Sequence, residues 1–524
     1  MSGLRSLWEC LARGAELNPA GVAIRDASRD CQLDYRDTLE LAESLAQVLR
    51  SLGVEDGDRV GLCLPKSIES VIGVFASQRA RAAHVPVDWS GPAERAAWIF
   101  ANCEVKALIV DSRRESDLVA ALAEHGCRPA VIVLDMQLAL DPAGALRAAL
   151  ATRPAAGEDL LPVAGRTRTE LGYILYTSGS TGVPKGVRIS QGAALAFIEW
   201  CAQLYTPGPE DRFSSHAPFH FDLSVLDIYV PLLHGGRLVL IGEDDGKNPA
   251  RLVEIVEQEA ITHWYSTPSI LTLMLQFGKP EGRDASALRV VNFAGEVFPI
   301  KHLQALRALW PHPEYHNLYG PTETNVCTWH TLPPHPDDRS TPYPIGSVCP
   351  HYESLRVDEN GQPVDGTGEG LLLIRGEGVM DGYWNAPELD ARAFLELDGV
   401  RWYNTGDVVQ PNAAGELEFL GRRDRMVKKR GYRIELGEIE TALYRHPDVL
   451  EAAVLAVSDA DGGVRIRACL VPRDGMKLSI IALKRYSADN LLSYMVPDDF
   501  VFLDSLPKTS TDKTDYQRLK EMVQ

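Results

Sequence analysis

No two of the nine cysteines stand in a CxxC pair: Cys10, Cys31, Cys63, Cys103, Cys127, Cys201, Cys327, Cys349 and Cys469 are scattered singly. An odd, dispersed set of thiols argues against a disulfide framework and a thiolate zinc site, and fits a reducing compartment. A long apolar run is missing too. No stretch approaches the ~18 residues of a membrane span, and the opening MSGLRSLWECLARGAELNPAG is broken by polar residues too often for a signal peptide. The expectation is a cytosolic protein that neither crosses nor binds a membrane. Basic charge is in deficit, with 53 Lys and Arg against 72 Asp and Glu and a formal net charge of -19. That balance speaks against nucleic acid or anionic lipid as a partner, and an acidic ligand then needs a local cradle of its own. Internal repeats and low-complexity tracts are absent.

What is there is the composition of a folded chain, 45% hydrophobic and 24% charged. Single cores stop growing near ~250–300 residues, so 524 residues imply two to four structural units. The first third alternates a helical pattern, YRDTLELAESLAQVLRSLG, with the short apolar runs RVGLCLP, AAHVPVD, KALIVD and AVIVLD. Such alternation predicts parallel α/β layers. DPAGALRAALATRPAAGEDLLPVAG reads as a link, and a second α/β region extends to about Gly295. From roughly Pro342 to Phe419 short runs with turn signals predict a small antiparallel β unit. Beyond GRRDRMVKKRGYRIELGEIE about a hundred residues remain, with helix, the strands EAAVLAVS and VRIRACLVP, and helix, enough for a small α+β domain.

The stretch YTSGSTGVPKGV, Tyr176 to Val187, follows an apolar run and gathers glycines, hydroxyls and a lysine. Gly179, Gly182 and Gly186 let backbone approach a bulky anion, Thr177, Ser178, Ser180 and Thr181 can donate hydrogen bonds, and Lys185 adds charge. It is not a Walker loop, because Pro184 and Gly186 flank the lysine. Taken alone, such a turn is either a phosphate cradle or a plain loop.

Four further stretches follow in order: NLYGPTETN, YNTGDVV, GRRDRMVKKRGYRIELGEIE and LPKTSTDKTD, with HVPVDWSGPAERAAWIFANCEVKALIVD ahead of the loop. Together they resemble the adenylate-forming superfamily of acyl-CoA synthetases, luciferases and nonribosomal peptide synthetase adenylation domains, over nearly the whole chain. The resemblance implies an α/β fold, with a large N-terminal domain (1–423) of two α/β layers plus a small β unit, and a smaller mobile α+β C-terminal domain (424–524). It also implies ATP and Mg2+. Ser178, Gly179, Ser180, Thr181, Gly182, Thr177 and Lys185 would wrap the β- and γ-phosphates. Thr322 would touch the α-phosphate and Glu323 would hold the metal, both in catalytic roles. Tyr319 would stack on adenine beside Asn317 and Gly320, with Gly295 and Glu296 nearby, and Asp407 and Arg422 would serve the ribose. Asp424 would be the hinge. Lys513 would reach from the small domain to bridge carboxylate and phosphate, although Asp512 stands where the family has glycine; the bland reading is a solvated lysine on a fraying tail.

HAPFHFDLSVLDIYVPLLHGG carries the substrate information. In amino-acid-activating relatives an Asp after Phe pairs with the α-ammonium, and Asp222 stands there after Phe221; the alternative is a helix cap. By the same resemblance Leu223, Leu226, Tyr265, Asn292, Ala294, Leu318, Val326 and Cys327 surround the side chain. The set is mostly apolar, leaves no charge for a charged guest, and resembles proline-selecting adenylation enzymes. Asn292 departs from that pattern and could admit a polar proline derivative. The expected activity is conversion of an amino acid, L-proline first, to aminoacyl-AMP, with D-alanine as the alternative, as FDLSVLDIY and FAGEVFP suggest. With eleven residues after Lys513 and no Ser-centred phosphopantetheine site, the expected acceptor is the thiol of a separate carrier protein, with coenzyme A as the other option.

Overall fold

The computed structural model describes residues 3–135, 141–151, 165–179, 183–335, 338–423, 425–458, 463–473, 476, 478–508 and 514–523. Ser180, Thr181, Gly182, Asp424 and Lys513 lie outside them. Two compact units divide the chain: Met1–Tyr176 with Gly186–Gly421, and Thr177–Lys185 with Arg422–Gln524.

The larger unit is built on two sheets whose centres are parallel. One runs in the order Gly382–Tyr383, Lys185–Ser190, Leu171–Thr177, Ala83–Pro86, Arg59–Cys63, Ala107–Asp111, Ala130–Leu134. The run ALIVD is buried at every position, as a strand covered on both faces must be. The amphipathic helix Tyr35–Ser51 is capped by Asp34, whose side chain accepts from the Asp37 amide, and it buries Leu41, Ala42, Leu45 and Leu49. The stretch that reads as a link in fact begins with the helix Pro142–Ala151, whose Leu146 is fully buried. Its alanine-rich sequence has high helix propensity, which a reading for linker composition misses.

The second sheet has nine strands, of which Glu314–Tyr319, Val290–Ala294, His263–Ser266, Arg212–Ser215, Arg237–Leu240 and Val22–Asp26 lie parallel in that order. Tyr265 pairs with Asn292, and Asn292 with His316; one step on, Ala294 pairs with Leu318. The strands end at Ser215, Ser266, Ala294 and Tyr319, so the segments around Asp222, Gly295–Glu296 and Gly320–Glu323 leave the same edge. Ligands of open α/β sheets bind at the carboxyl ends of parallel strands. Residues 352–422 add a five-stranded antiparallel sheet, although Gly382–Tyr383 leaves it to pair with Val187 and Arg188 of the first sheet.

The smaller unit carries the antiparallel pair Met426–Lys429 and Tyr432–Glu435, and a sheet of Val449–Ser458, Val464–Pro472 and Asp499–Phe502. The helices Leu436–Tyr444 and Ile480–Asn490 contribute Ile439, Leu443 and Leu483 to a core with Val454, Ile466 and Leu470. The last helix, Tyr516–Val523, does not fray freely: Leu519 is fully buried, and Tyr516 donates to Glu440 at 3.1 Å. Lys508 pairs with Thr514, and the Asp515 amide donates to the Pro507 carbonyl.

Candidate functional site

In the larger unit, the helix Leu223–Leu233 starts at Asp222, which sits at its N-cap position yet makes no side-chain capping hydrogen bond. The capping explanation of this carboxylate therefore fails. Its charge is felt instead by two buried phenols: Tyr265 and Tyr173 are both pushed up first by burial and next by Asp222. Leu226, Tyr265, Ala294, Leu318, Val326 and Cys327 all belong to one buried cluster, with Leu223 packed against it. Within the nine-stranded sheet, Tyr265 and Asn292 are cross-strand partners, as are Ala294 and Leu318. Alternation along Val290–Ala294 sends Val291 and Phe293 to the opposite face and leaves Val290, Asn292 and Ala294 on this one. Phe221, half-buried, passes its carbonyl to the Ser224 hydroxyl at 2.6 Å, which shapes the turn before the helix.

Two motifs distant in the chain meet at Tyr319, whose hydroxyl donates to Asp407 Oδ2 inside the protein. Burial, and then the Asp407 charge, raise the phenol well above its ordinary range. The Asp407 amide is in turn held by Thr405 Oγ1 at 3.1 Å, and the Asn317 amide donates to the Pro344 carbonyl at 2.8 Å. Gly320 follows Tyr319 where only glycine fits, because a Cβ would lie 1.6 Å from the Asn325 carbonyl oxygen. The turn it permits, through half-buried Thr322, returns the chain so that the Cys327 amide donates to Tyr319.

Glu323 is fully buried, and its Oε1 accepts from the Tyr383 hydroxyl at 2.6 Å. The Met380 amide donates to the Glu323 carbonyl at 2.8 Å, so backbone and side chain are both held. Among the described residues no group of three or more His, Cys, Asp or Glu could hold a metal alone. A lone buried carboxylate fits Mg2+ of the kind bound by one or two carboxylates and substrate phosphates. Glu296 turns out to receive Ser269: its Oε2 accepts from the backbone amide at 3.1 Å and the hydroxyl at 2.5 Å, at the start of the helix Pro268–Phe277, just after Gly295, whose φ is 92°.

In the smaller unit, the Ser178 hydroxyl donates to the Arg433 carbonyl at 2.9 Å, while the buried Thr177 Oγ1 has no hydrogen-bond partner among the described residues. Hydroxyls at Thr177 and Ser178 followed by Gly179 fit an anion cradle. A Cβ on Gly179 would meet the Val183 carbonyl oxygen at 2.0 Å, so the loop closes tightly on itself. Lys185 opens the strand Lys185–Ser190, and Arg422 ends the strand Leu417–Arg422.

Two residues have no warning in the sequence. Tyr383, which holds Glu323, lies 60 residues beyond it, and Tyr205, which donates to Asn292 Oδ1 at 3.0 Å, lies 87 residues before it. Neither occupies a recognisable motif, and only the packing of distant elements, a strand for Tyr383 and the end of the helix Gln191–Tyr205 for Tyr205, brings them to their partners.

The chain matches the model of the AMP-binding enzyme family over residues 11–384 and that of the AMP-binding enzyme C-terminal domain over residues 438–513. It is 39% identical over 487 residues to an L-proline--[L-prolyl-carrier protein] ligase of Pseudomonas fluorescens, covering 93% of each chain. A protein of the same description from Streptomyces coelicolor is 39% identical over 498 residues, 93% of this chain and 91% of that one. Among solved structures, the Vibrio cholerae adenylation domain AlmE, in complex with glycyl-adenosine-5'-phosphate, superposes with a TM-score of 0.83 at 24% identity, over 98% of this chain and 97% of that one, a likeness of fold.

Proposed function

The chain belongs to the AMP-binding enzyme family, and from that premise we propose that it activates an amino acid of the proline type as its adenylate and passes the aminoacyl group to a carrier-protein phosphopantetheine thiol. In the first step a carboxylate oxygen attacks the α-phosphorus of ATP and pyrophosphate leaves. In the second the thiol attacks the acyl carbon, forming the thioester, and AMP leaves.

Asp222 carries the reading of the substrate as an amine. A carboxylate that does not cap its helix and whose charge acts on two buried phenols is suited to meet a cation, and an α-ammonium supplies one. Leu223, Leu226, Tyr265, Ala294, Leu318, Val326 and Cys327 then receive a small uncharged side chain. Tyr319, with Asn317 and Gly320, faces adenine, and Asp407 and Arg422 accept and donate to the ribose. Thr177, Ser178, Ser180, Thr181 and Lys185 hold the departing pyrophosphate, and Thr322 steadies the α-phosphate. Bound Mg2+ would neutralise phosphate charge, with Glu323 as its hard oxygen ligand. Lys513 stabilises the charge that develops between carboxylate and phosphorus.

A pyrophosphate-exchange panel over amino acids tests the reading. Prolyl compounds should exchange strongly, and a charged carrier protein, rather than an acyl-CoA, should accumulate when both acceptors are offered. Strong exchange with D-alanine and none with any prolyl compound would overturn the substrate. Preferential acyl-CoA formation would overturn the acceptor.

A further inference from the structure

Among the residues assigned to the substrate side chain, Asn292 is the one carboxamide; apart from the Tyr265 phenol and the Cys327 thiol the others are aliphatic. Asn292 is completely buried, on the face of its strand that carries Val290 and Ala294, between Tyr265 and His316 of the neighbouring strands. Its Oδ1 accepts from the Tyr205 hydroxyl at 3.0 Å, while its Nδ2 has no hydrogen-bond partner among the described residues. A side-chain amide offers two donors and two acceptor lone pairs, and one bond to Tyr205 leaves most of that capacity unused. Anchoring Tyr205 explains one end of the amide and leaves the other unexplained. Leucine would fill the same space without the cost of burying an unpaired donor.

We propose that the open end of Asn292 reads a hydroxyl group on the ring of a proline-type substrate, so that the enzyme's preferred acid is a hydroxyproline rather than proline itself. This rests on the assignment of these residues to a prolyl pocket. A ring hydroxyl both donates and accepts, so it satisfies the amide whichever polar end faces the guest. Unsubstituted proline presents only methylene groups there and leaves the amide unpaired. A site built to bond a substrate hydroxyl discriminates strongly against the analogue that lacks it, whereas an apolar wall barely distinguishes the two.

The full-length enzyme is assayed by pyrophosphate exchange with L-proline, cis- and trans-4-hydroxy-L-proline, trans-3-hydroxy-L-proline and D-alanine, as wild type and as Asn292→Leu. At least one hydroxyproline should exceed L-proline in kcat/KM by about 10- to 100-fold in the wild type, the cost of leaving one buried donor unpaired, and Asn292→Leu should reverse the order. Wild-type kcat/KM for L-proline equal to or above that of every hydroxyproline overturns the hydroxyl reading alone, as does a ratio unchanged in Asn292→Leu. Exchange with D-alanine only overturns the prolyl pocket and this proposal with it. Should the variant fail to fold, the wild type still decides: the hydroxyprolyl sulfamoyl-adenosine must raise its Tm more than the prolyl one, and an equal or smaller rise refutes the proposal.

Discussion

Replacing Tyr383 by phenylalanine removes one oxygen and nothing else from the support of Glu323. The ring stays in the core cluster to which Tyr383 belongs, so no large cavity opens. The Glu323 backbone also stays held, because the Met380 amide still donates to its carbonyl. What is lost is the 2.6 Å bond that orients Oε1 of a fully buried carboxylate. A hydrogen bond to a charged group contributes about 1.5–3 kcal/mol, and loss of a group that orients a metal ligand typically costs about 10- to 100-fold in metal affinity or activity. Pyrophosphate exchange is measured against Mg2+ concentration, alongside guanidinium unfolding of the ligand-free protein. The Mg2+ concentration for half-maximal rate should rise by about 10- to 100-fold while KM for the amino acid holds, since Asp222, assigned to its ammonium, stands on another segment at the start of the helix Leu223–Leu233. Unfolding should show a loss of about 1.5–3 kcal/mol. An unchanged Mg2+ dependence, with the stability loss present, would show Tyr383 to be a packing residue and would remove Glu323 from the metal.

Asp222→Asn keeps the shape and removes the charge; kcat/KM for the amino acid should fall by at least ~30-fold with KM for ATP unchanged, and equal kinetics would leave Asp222 a mere turn residue. Gly320→Ala places a methyl 1.6 Å from the Asn325 carbonyl oxygen; denaturant titration should show at least ~2 kcal/mol of destabilisation, and wild-type stability would contradict the tight turn. Lys513→Ala should lower the adenylation rate by roughly 10²–10³-fold without shifting Tm, and full activity would dismiss the lysine. Burial lowers His84 to about 3 and His216, His316 and His351 to about 4. Neutral in the fold but protonated when unfolded below the ordinary 6.5, these rings support stability fully above that pH and lose it as pH falls toward 4. Tm should therefore drop steeply between pH 6.5 and 4, and a flat profile there would refute buried neutral rings.

Much of the architecture can be read from local pattern. The unbroken apolar runs announce the parallel strands, and ALIVD is buried throughout as such a run requires. Tyr35–Ser51 is helical for the periodicity its sequence shows. Where composition misleads, the cause is also local: the alanines of Pro142–Ala151 suit a helix as well as a link, and burial of Leu146 decides between them. Gly382–Tyr383 looks like part of the antiparallel unit because its neighbours in sequence are, yet hydrogen bonding to Val187 and Arg188 assigns it elsewhere.

Residue types and spacings within each motif are legible along the chain: the glycine-and-hydroxyl loop, the acid after Phe221, and the NLYGPTE and TGD segments, because each is a short-range arrangement of backbone freedom and side-chain chemistry. Tertiary structure alone decided what each motif leans on. Tyr319 meets Asp407 across 88 residues, Glu323 meets Tyr383 across 60, and Asn292 meets Tyr205 across 87. That Asp222 makes no side-chain capping hydrogen bond also shows only in the fold. A hydrogen bond depends on separation in space to tenths of an ångström, and the packing of helices and sheets, not distance along the chain, sets that separation.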